Sequence, residues 1–234
     1  MDDINKRNKK AVFLVGLGAP ASLYADYIDD LKKYLPQTTL FVLEWWNQAD
    51  FGINTLQSYI GDSDVILIAH SAGSVIALQA LAKWPTAVKK IIMLDSHFLR
   101  TKNTLVTVNH MLDIMLSKNN LTVKNKVINA YAPIIDNSLS FNKALEFAIE
   151  WVNVNFDQTC TLFNTMPAHS ALLIGFTNSG YQILNAEDEK ALLTLWKKFN
   201  IDLKFLPMNH FDLIDDKCAA RLNQLIAGWF EENE

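Results

Sequence analysis

The stretch Val65-Ile66-Leu67-Ile68-Ala69-His70-Ser71-Ala72-Gly73-Ser74-Val75-Ile76 constrains the fold more than any other part of the chain. Its uninterrupted apolar run, Val65 to Ala69, is the pattern of a strand buried on both faces, as in a parallel sheet covered by helices. Val75, Ile76, Leu78, Ala80 and Leu81 then recur at helical spacing. Between strand and helix there is room only for Ala69-His70-Ser71-Ala72-Gly73. So sharp a turn brings two backbones together and demands small flanking residues. A serine at its apex carries its hydroxyl at the carboxyl end of the sheet, beside the first free N–H groups of the helix. Ser71 is therefore the candidate nucleophile, and the Ala72 N–H a candidate oxyanion donor. Ala69 stands where glycine is the usual choice, a small-for-small exchange. A serine that merely opens a helix is the plainer reading of the same residues.

Five further apolar runs read as strands: Ala11–Val15, Thr38–Leu43, Lys90–Asp95, Ala171–Phe176 and Asp202–Leu206. Helical patterns alternate with them, which predicts a mostly parallel, doubly wound α/β sheet. Such a sheet delivers its functional groups just outside the carboxyl ends of its strands. Asp95 occupies that place one strand after Ser71, and His210 lies in the loop after the last strand, in Pro207-Met208-Asn209-His210-Phe211-Asp212. The order Ser71, Asp95, His210 suits nucleophile, acid and base, the acid holding the imidazole tautomer and stabilising the imidazolium. A carboxylate that only caps the following turn is the alternative for Asp95. After the fifth strand, where many chains with this order of elements place the acid, stands Asn178, which cannot bear the charge.

The loop after the first strand, Gly16-Leu17-Gly18-Ala19-Pro20, lacks the third glycine of a dinucleotide site. It suits a second oxyanion donor better, with Leu17 and Gly18 as candidates. Trp45 and Trp46 end the second strand and either line a substrate cleft or pack in the core. His97 is too near Asp95 in sequence to bridge it to Ser71. His70 is expected to point away from the site, and His110 and His169 offer no acid partner in the sequence.

From 100 to 160 the alternation stops. Leu105 to Leu116, Val123 to Tyr131 and Phe141 to Val152 show three successive helical periodicities. We expect a single domain over 1–234 with 100–160 inserted as a helical lid forming part of an acyl pocket. The Asn-rich joint around Asn119, Asn120, Asn125 and Asn129, with Pro133 later, is the expected hinge.

Composition removes several classes of function. With 21 basic against 25 acidic residues the net charge is -4, which disfavours a nucleic-acid partner. No run approaches the ~20 apolar residues of a membrane span. The charged opening Met1-Asp2-Asp3-Ile4-Asn5-Lys6-Arg7 lacks the apolar centre of a signal peptide, so a cytoplasmic location is expected. Cys160 and Cys218 show no paired spacing and read as reduced thiols, with neither metal nor redox cofactor expected.

Three segments together carry a likeness: Ala69-His70-Ser71-Ala72-Gly73, Ile91-Ile92-Met93-Leu94-Asp95-Ser96 and Asn209-His210-Phe211. In them the chain resembles the α/β-hydrolase thioesterase domains that release products from nonribosomal peptide and polyketide synthases. The resemblance covers nearly the whole chain, with 100–160 at the family's variable lid. It departs in the Gly16-Leu17-Gly18-Ala19 loop, which lacks the family's proline-rich form. The resemblance implies a freestanding enzyme with the triad Ser71, Asp95 and His210. Its substrate would be an acyl thioester, carried on the phosphopantetheine arm of a carrier protein or on a small thiol. A carboxylesterase or lipase using the same triad, and a non-catalytic binding protein of the same fold, remain alternatives.

Overall fold

The computed structural model describes residues 9–61, 64–96, 112–113, 116–117, 119–135, 139–176, 178, 194 and 197–232. His97, His110 and most of the first helical pattern of the insertion lie outside these.

All six apolar runs form strands: β1 (Lys9–Leu14), β2 (Thr38–Leu43), β3 (Val65–His70), β4 (Val88–Leu94), β5 (Ala171–Phe176) and β6 (Asp202–Leu206). They make one sheet in the order β2-β1-β3-β4-β5-β6, with every neighbouring pair parallel. The continuous apolar run of β3 has its physical reason here, since that strand is central and buried at every residue. The edge strands β2 and β6 keep partly exposed positions.

The strand order places the site. From β1 the chain steps to one side, through α1 (Ala25–Tyr34), to reach β2. From β3 it steps to the other side, through α3 (Gly73–Lys83), to reach β4. Right-handed crossovers, the rule for parallel neighbours, put these two helices on opposite faces, so the loops after β1 and β3 flank the point where the strand order reverses, the general place for ligands in such sheets. Gly16 and Ser71 follow those two strands.

Between β2 and β3 lies α2 (Ile53–Ile60). The insertion supplies α4 (Leu121–Ile135), which buries Val123, Val127 and Tyr131, and α5 (Leu139–Cys160), which buries Phe141, Ala148 and Val152. These match the predicted periodicities except at Ile128, which is exposed, and Asn125, Asn129 and Pro133, expected at a hinge, lie inside α4 instead. Helix α5 packs on α3. The closing helix α6 (Asp216–Glu232) packs against α1, where Asn223 Nδ2–H donates to Asp30 at 2.9 Å. Among the described residues no helix is long and apolar enough to cross a membrane.

Candidate active site

Ser71 sits one residue past β3 with φ +54°, in the left-handed region that costs a residue with a Cβ on the order of 1–3 kcal/mol. The sheet holds it there, because the Ser71 N–H donates to the Leu94 carbonyl at 2.9 Å. Helix α3 starts at once, with the Ser74 N–H on the Ser71 carbonyl at 3.1 Å. The helix passes so close to β1 that a Cβ on Gly73 would meet the Leu14 carbonyl oxygen at 2.5 Å, so only glycine fits. A Cβ on Gly16 would lie 3.6 Å from the Ser71 Cβ, which places the loop after β1 alongside the serine.

Asp95 repeats the arrangement one strand over. It follows β4 at φ +46°, a conformation aspartate tolerates better than most residues, and its N–H donates to the Ile174 carbonyl at 2.8 Å. Its carboxylate is fully buried and doubly engaged. Oδ1 accepts the Phe176 N–H at 3.1 Å, and Oδ2 accepts His210 Nδ1–H at 2.6 Å. The Ser96 hydroxyl, bonded to the Ser74 hydroxyl, fastens the same turn to α3.

His210 is itself 1% exposed. Burial pushes its pKa below the ordinary histidine range, so the ring is neutral at pH 7. With the Nδ1 proton facing a carboxylate, Nε2 is the unprotonated nitrogen. The turn bearing His210 is fixed by a residue that sequence reasoning missed. Asp212 accepts from the Asn209 N–H at 2.7 Å, from Asn209 Nδ2 at 2.8 Å and from Asn119 Nδ2 at 2.7 Å. The expected hinge asparagine is thus clasped to the turn that carries the candidate base. An aspartate two residues after the histidine was the available signal, since such side chains bond backbone N–H groups nearby.

The loop after β1 is held from three sides. Its Ala19 N–H donates to the Gly16 carbonyl at 3.1 Å, and the Leu17 carbonyl accepts the Tyr131 hydroxyl from α4 at 2.8 Å. Gly18, at φ +74°, leaves no room for a side chain between Tyr131 and Phe141. Trp45 and Trp46 need correction as substrate-lining residues. Both belong to the buried core, Trp45 with no exposed surface, and their indole N–H groups donate to the Val15 and Ala19 carbonyls at 2.7 and 3.0 Å. The Glu44 carboxylate accepts the Ala21 N–H. These residues shape the loop rather than face an open cleft.

Two histidines also depart from expectation. His70 does not turn away from the site: its Nε2 lies 3.0 Å from the His210 carbonyl oxygen and its Nδ1 2.9 Å from the Tyr24 hydroxyl. His169 has an acid partner after all, Asp202, at 3.0 Å. Asn178 is exposed, and its N–H donates to the Met208 carbonyl at 3.0 Å.

No protein-family model and no curated protein matches this chain. Solved structures do. A carboxylesterase structure from the thaumarchaeon Nitrososphaera gargenis is 13% identical with a TM-score of 0.68, over 97% of this chain and 93% of that one. The enol-lactonase from Burkholderia xenovorans LB400 is 11% identical with a TM-score of 0.66, over 96% and 92%. A thioesterase domain from the curacin biosynthetic pathway is 15% identical with a TM-score of 0.57, over 94% and 91%. At these identities the likeness establishes the fold, which is that of the α/β hydrolases.

Proposed function

On this α/β-hydrolase frame, we propose that the protein is a serine hydrolase that cleaves acyl thioesters through an acyl-enzyme. The observation that carries the serine-hydrolase reading is the 2.6 Å bond between Asp95 and His210, both buried, on the rim where Ser71 stands in a strained conformation. Strain of that kind persists at functional sites because the surrounding structure over-determines it.

In the proposed reaction His210 Nε2 removes the Ser71 proton as Oγ attacks the carbonyl carbon. Asp95 stabilises the imidazolium that forms. The Ala72 N–H, together with an N–H of Leu17 or Gly18, holds the oxyanion. The C–S bond then breaks, and the proton on His210 passes to the departing thiolate. Water, deprotonated by the same imidazole, attacks the acyl-enzyme and regenerates Ser71. The insertion serves as the lid, with α4 and α5 setting the loop through Tyr131 and Phe141. A carrier-borne or small acyl thioester is the proposed substrate.

The carboxylesterase likeness favours a second reading, in which the same groups open oxygen esters. Matched panels of acyl thioesters and nitrophenyl esters of equal chain length separate the two. We expect higher kcat/KM on the thioesters; a clear preference for short oxygen esters would transfer the assignment. A fluorophosphonate probe tests both at once. Wild-type protein should be labelled and Ser71→Ala should not, while an unlabelled wild type would leave a binding protein of this fold.

A further inference from the structure

Besides Asp212, a second buried ionisable side chain outside the proposed triad touches the turn that carries the base. His70 is fully buried, with its ring centroid 4.5 Å from that of His210. Its Nε2 faces the His210 carbonyl, which can only accept, so Nε2 carries the proton. In the neutral ring Nδ1 is then an acceptor, and the Tyr24 hydroxyl must donate to it. The Tyr24 oxygen in turn accepts the Gly16 N–H at 3.2 Å. Every direction in this chain is fixed: Gly16 N–H to Tyr24, Tyr24 O–H to His70 Nδ1, His70 Nε2–H to His210. Burial holds His70 neutral, as the chain requires.

We infer that His70, the residue before Ser71, is a positioning residue that ties the backbone of His210 to the loop after β1 by way of Tyr24. The inference rests on the triad reading above. One end of the chain adjoins Leu17, the other is the base itself, and the ring in the middle is attached to the peptide that leads into Ser71. A single rigid side chain thus references nucleophile, base and oxyanion donors to one another. An imidazole suits the task because its two ring nitrogens act in opposite senses at a fixed separation. Tyr24 is kept in place by its own ring, packed 5.1 Å from Phe13.

Three variants test this. His70→Phe removes both bonds and keeps a ring; His70→Gln retains a donor for the His210 carbonyl; Tyr24→Phe removes only the hydroxyl. Displacing a catalytic group by about 1 Å costs on the order of 100-fold in rate. We therefore expect kcat for His70→Phe to fall roughly 30- to 100-fold with KM changed less than about threefold. His70→Gln should stay within about tenfold of wild type, and Tyr24→Phe should lose roughly three- to tenfold. A second readout needs no turnover: the His210 Nδ1–H resonance, followed by NMR with nitrogen-labelled histidine. It should shift in His70→Phe and Tyr24→Phe and stay near its wild-type position in His70→Gln. The inference is overturned if His70→Phe and Tyr24→Phe keep kcat within about twofold of wild type and leave that resonance in place. It is also overturned if His70→Gln loses as much kcat as His70→Phe with the same drop in Tm, which is the signature of packing alone. Should His70→Phe fail to fold, Tyr24→Phe decides, since its silence in both readouts sinks the idea. An inactive, unlabelled wild type would defeat the hydrolase reading, and the resonance would then still decide on His70.

Discussion

The sheet carries a histidine–aspartate pair at each end, and the two differ in nearly everything except composition. At the carboxyl end His210 and Asp95 meet at 2.6 Å with 1% and 0% of their side chains exposed. At the amino end His169 and Asp202 meet at 3.0 Å with 57% and 28% exposed. Each pair includes one residue in the left-handed region, Asp95 in one and His169 in the other. Asp202 also accepts Trp229 Nε1–H at 2.7 Å, so it serves to fasten α6 to β6. Solvent at the amino end screens the attraction. At the carboxyl end neither partner has that escape, so the carboxylate must satisfy the imidazole and the imidazole keeps one tautomer. Under the proposed reaction, solvent exclusion and the nearness of a strand end bearing Ser71 are what distinguish the His210–Asp95 pair from its exposed counterpart.

The largest effects should come from the carboxyl end. Ser71→Ala is expected to lower kcat by at least about 10⁴-fold on any substrate the protein turns over, and to abolish fluorophosphonate labelling. Asp95→Asn comes next. Asparagine tolerates the left-handed conformation and can still accept the Phe176 N–H, so the change isolates the charge and the tautomer. It should cost about 10³- to 10⁴-fold in kcat by steady-state kinetics. Asp202→Asn, the same exchange at the other end, should leave kcat within about twofold.

That contrast is also where the sequence stops being legible. The central strands could be read because burial on both faces forces apolar runs, and the placing of Ser71 and Asp95 directly after β3 and β4 could be read because a parallel sheet presents the carboxyl ends of its strands at one rim. The orientation of His70 and the partner of His169 could not, and Trp45 and Trp46 could be read only as either cleft or core. Each depends on a contact between segments far apart in the chain: Tyr24 with His70, His169 with Asp202, Trp45 with Val15. Such pairs leave no local periodicity. Glycine gave partial help at Gly73, where the helix passes too close to β1 for any side chain.

A smaller effect separates the two ends by pH. Because burial lowers the pKa of His210, its base form persists below the ordinary histidine value near 6.5. The acidic limb of kcat/KM should therefore lie below about pH 6, measured over pH 4 to 9. The same burial has the opposite consequence for stability. Between their lowered folded values and about 6.5, His70 and His210 bind protons only when unfolded, so stability is lost as pH falls through that window. Each contributes a slope of up to about 1.4 kcal/mol per pH unit, and urea unfolding at pH 7, 6 and 5 should show both. A pH-independent midpoint over that range would mean that these rings are not held neutral.

The smallest effect is the sharpest check on the comparison. His169 stands at φ +59°, where asparagine is among the least strained replacements, so His169→Asn removes the imidazole with little backbone cost. Its bond to Asp202 is solvent-exposed, and pairs of that kind contribute between about 0 and 1 kcal/mol. Asp202 keeps Trp229 as a donor, so no acceptor is left buried and unpaired. We expect a stability change under about 1 kcal/mol by urea titration and kcat/KM within about twofold of wild type. A loss of tenfold or more in kcat/KM would show that the amino end of the sheet reaches the chemistry, and the distinction between the two pairs would have to be withdrawn.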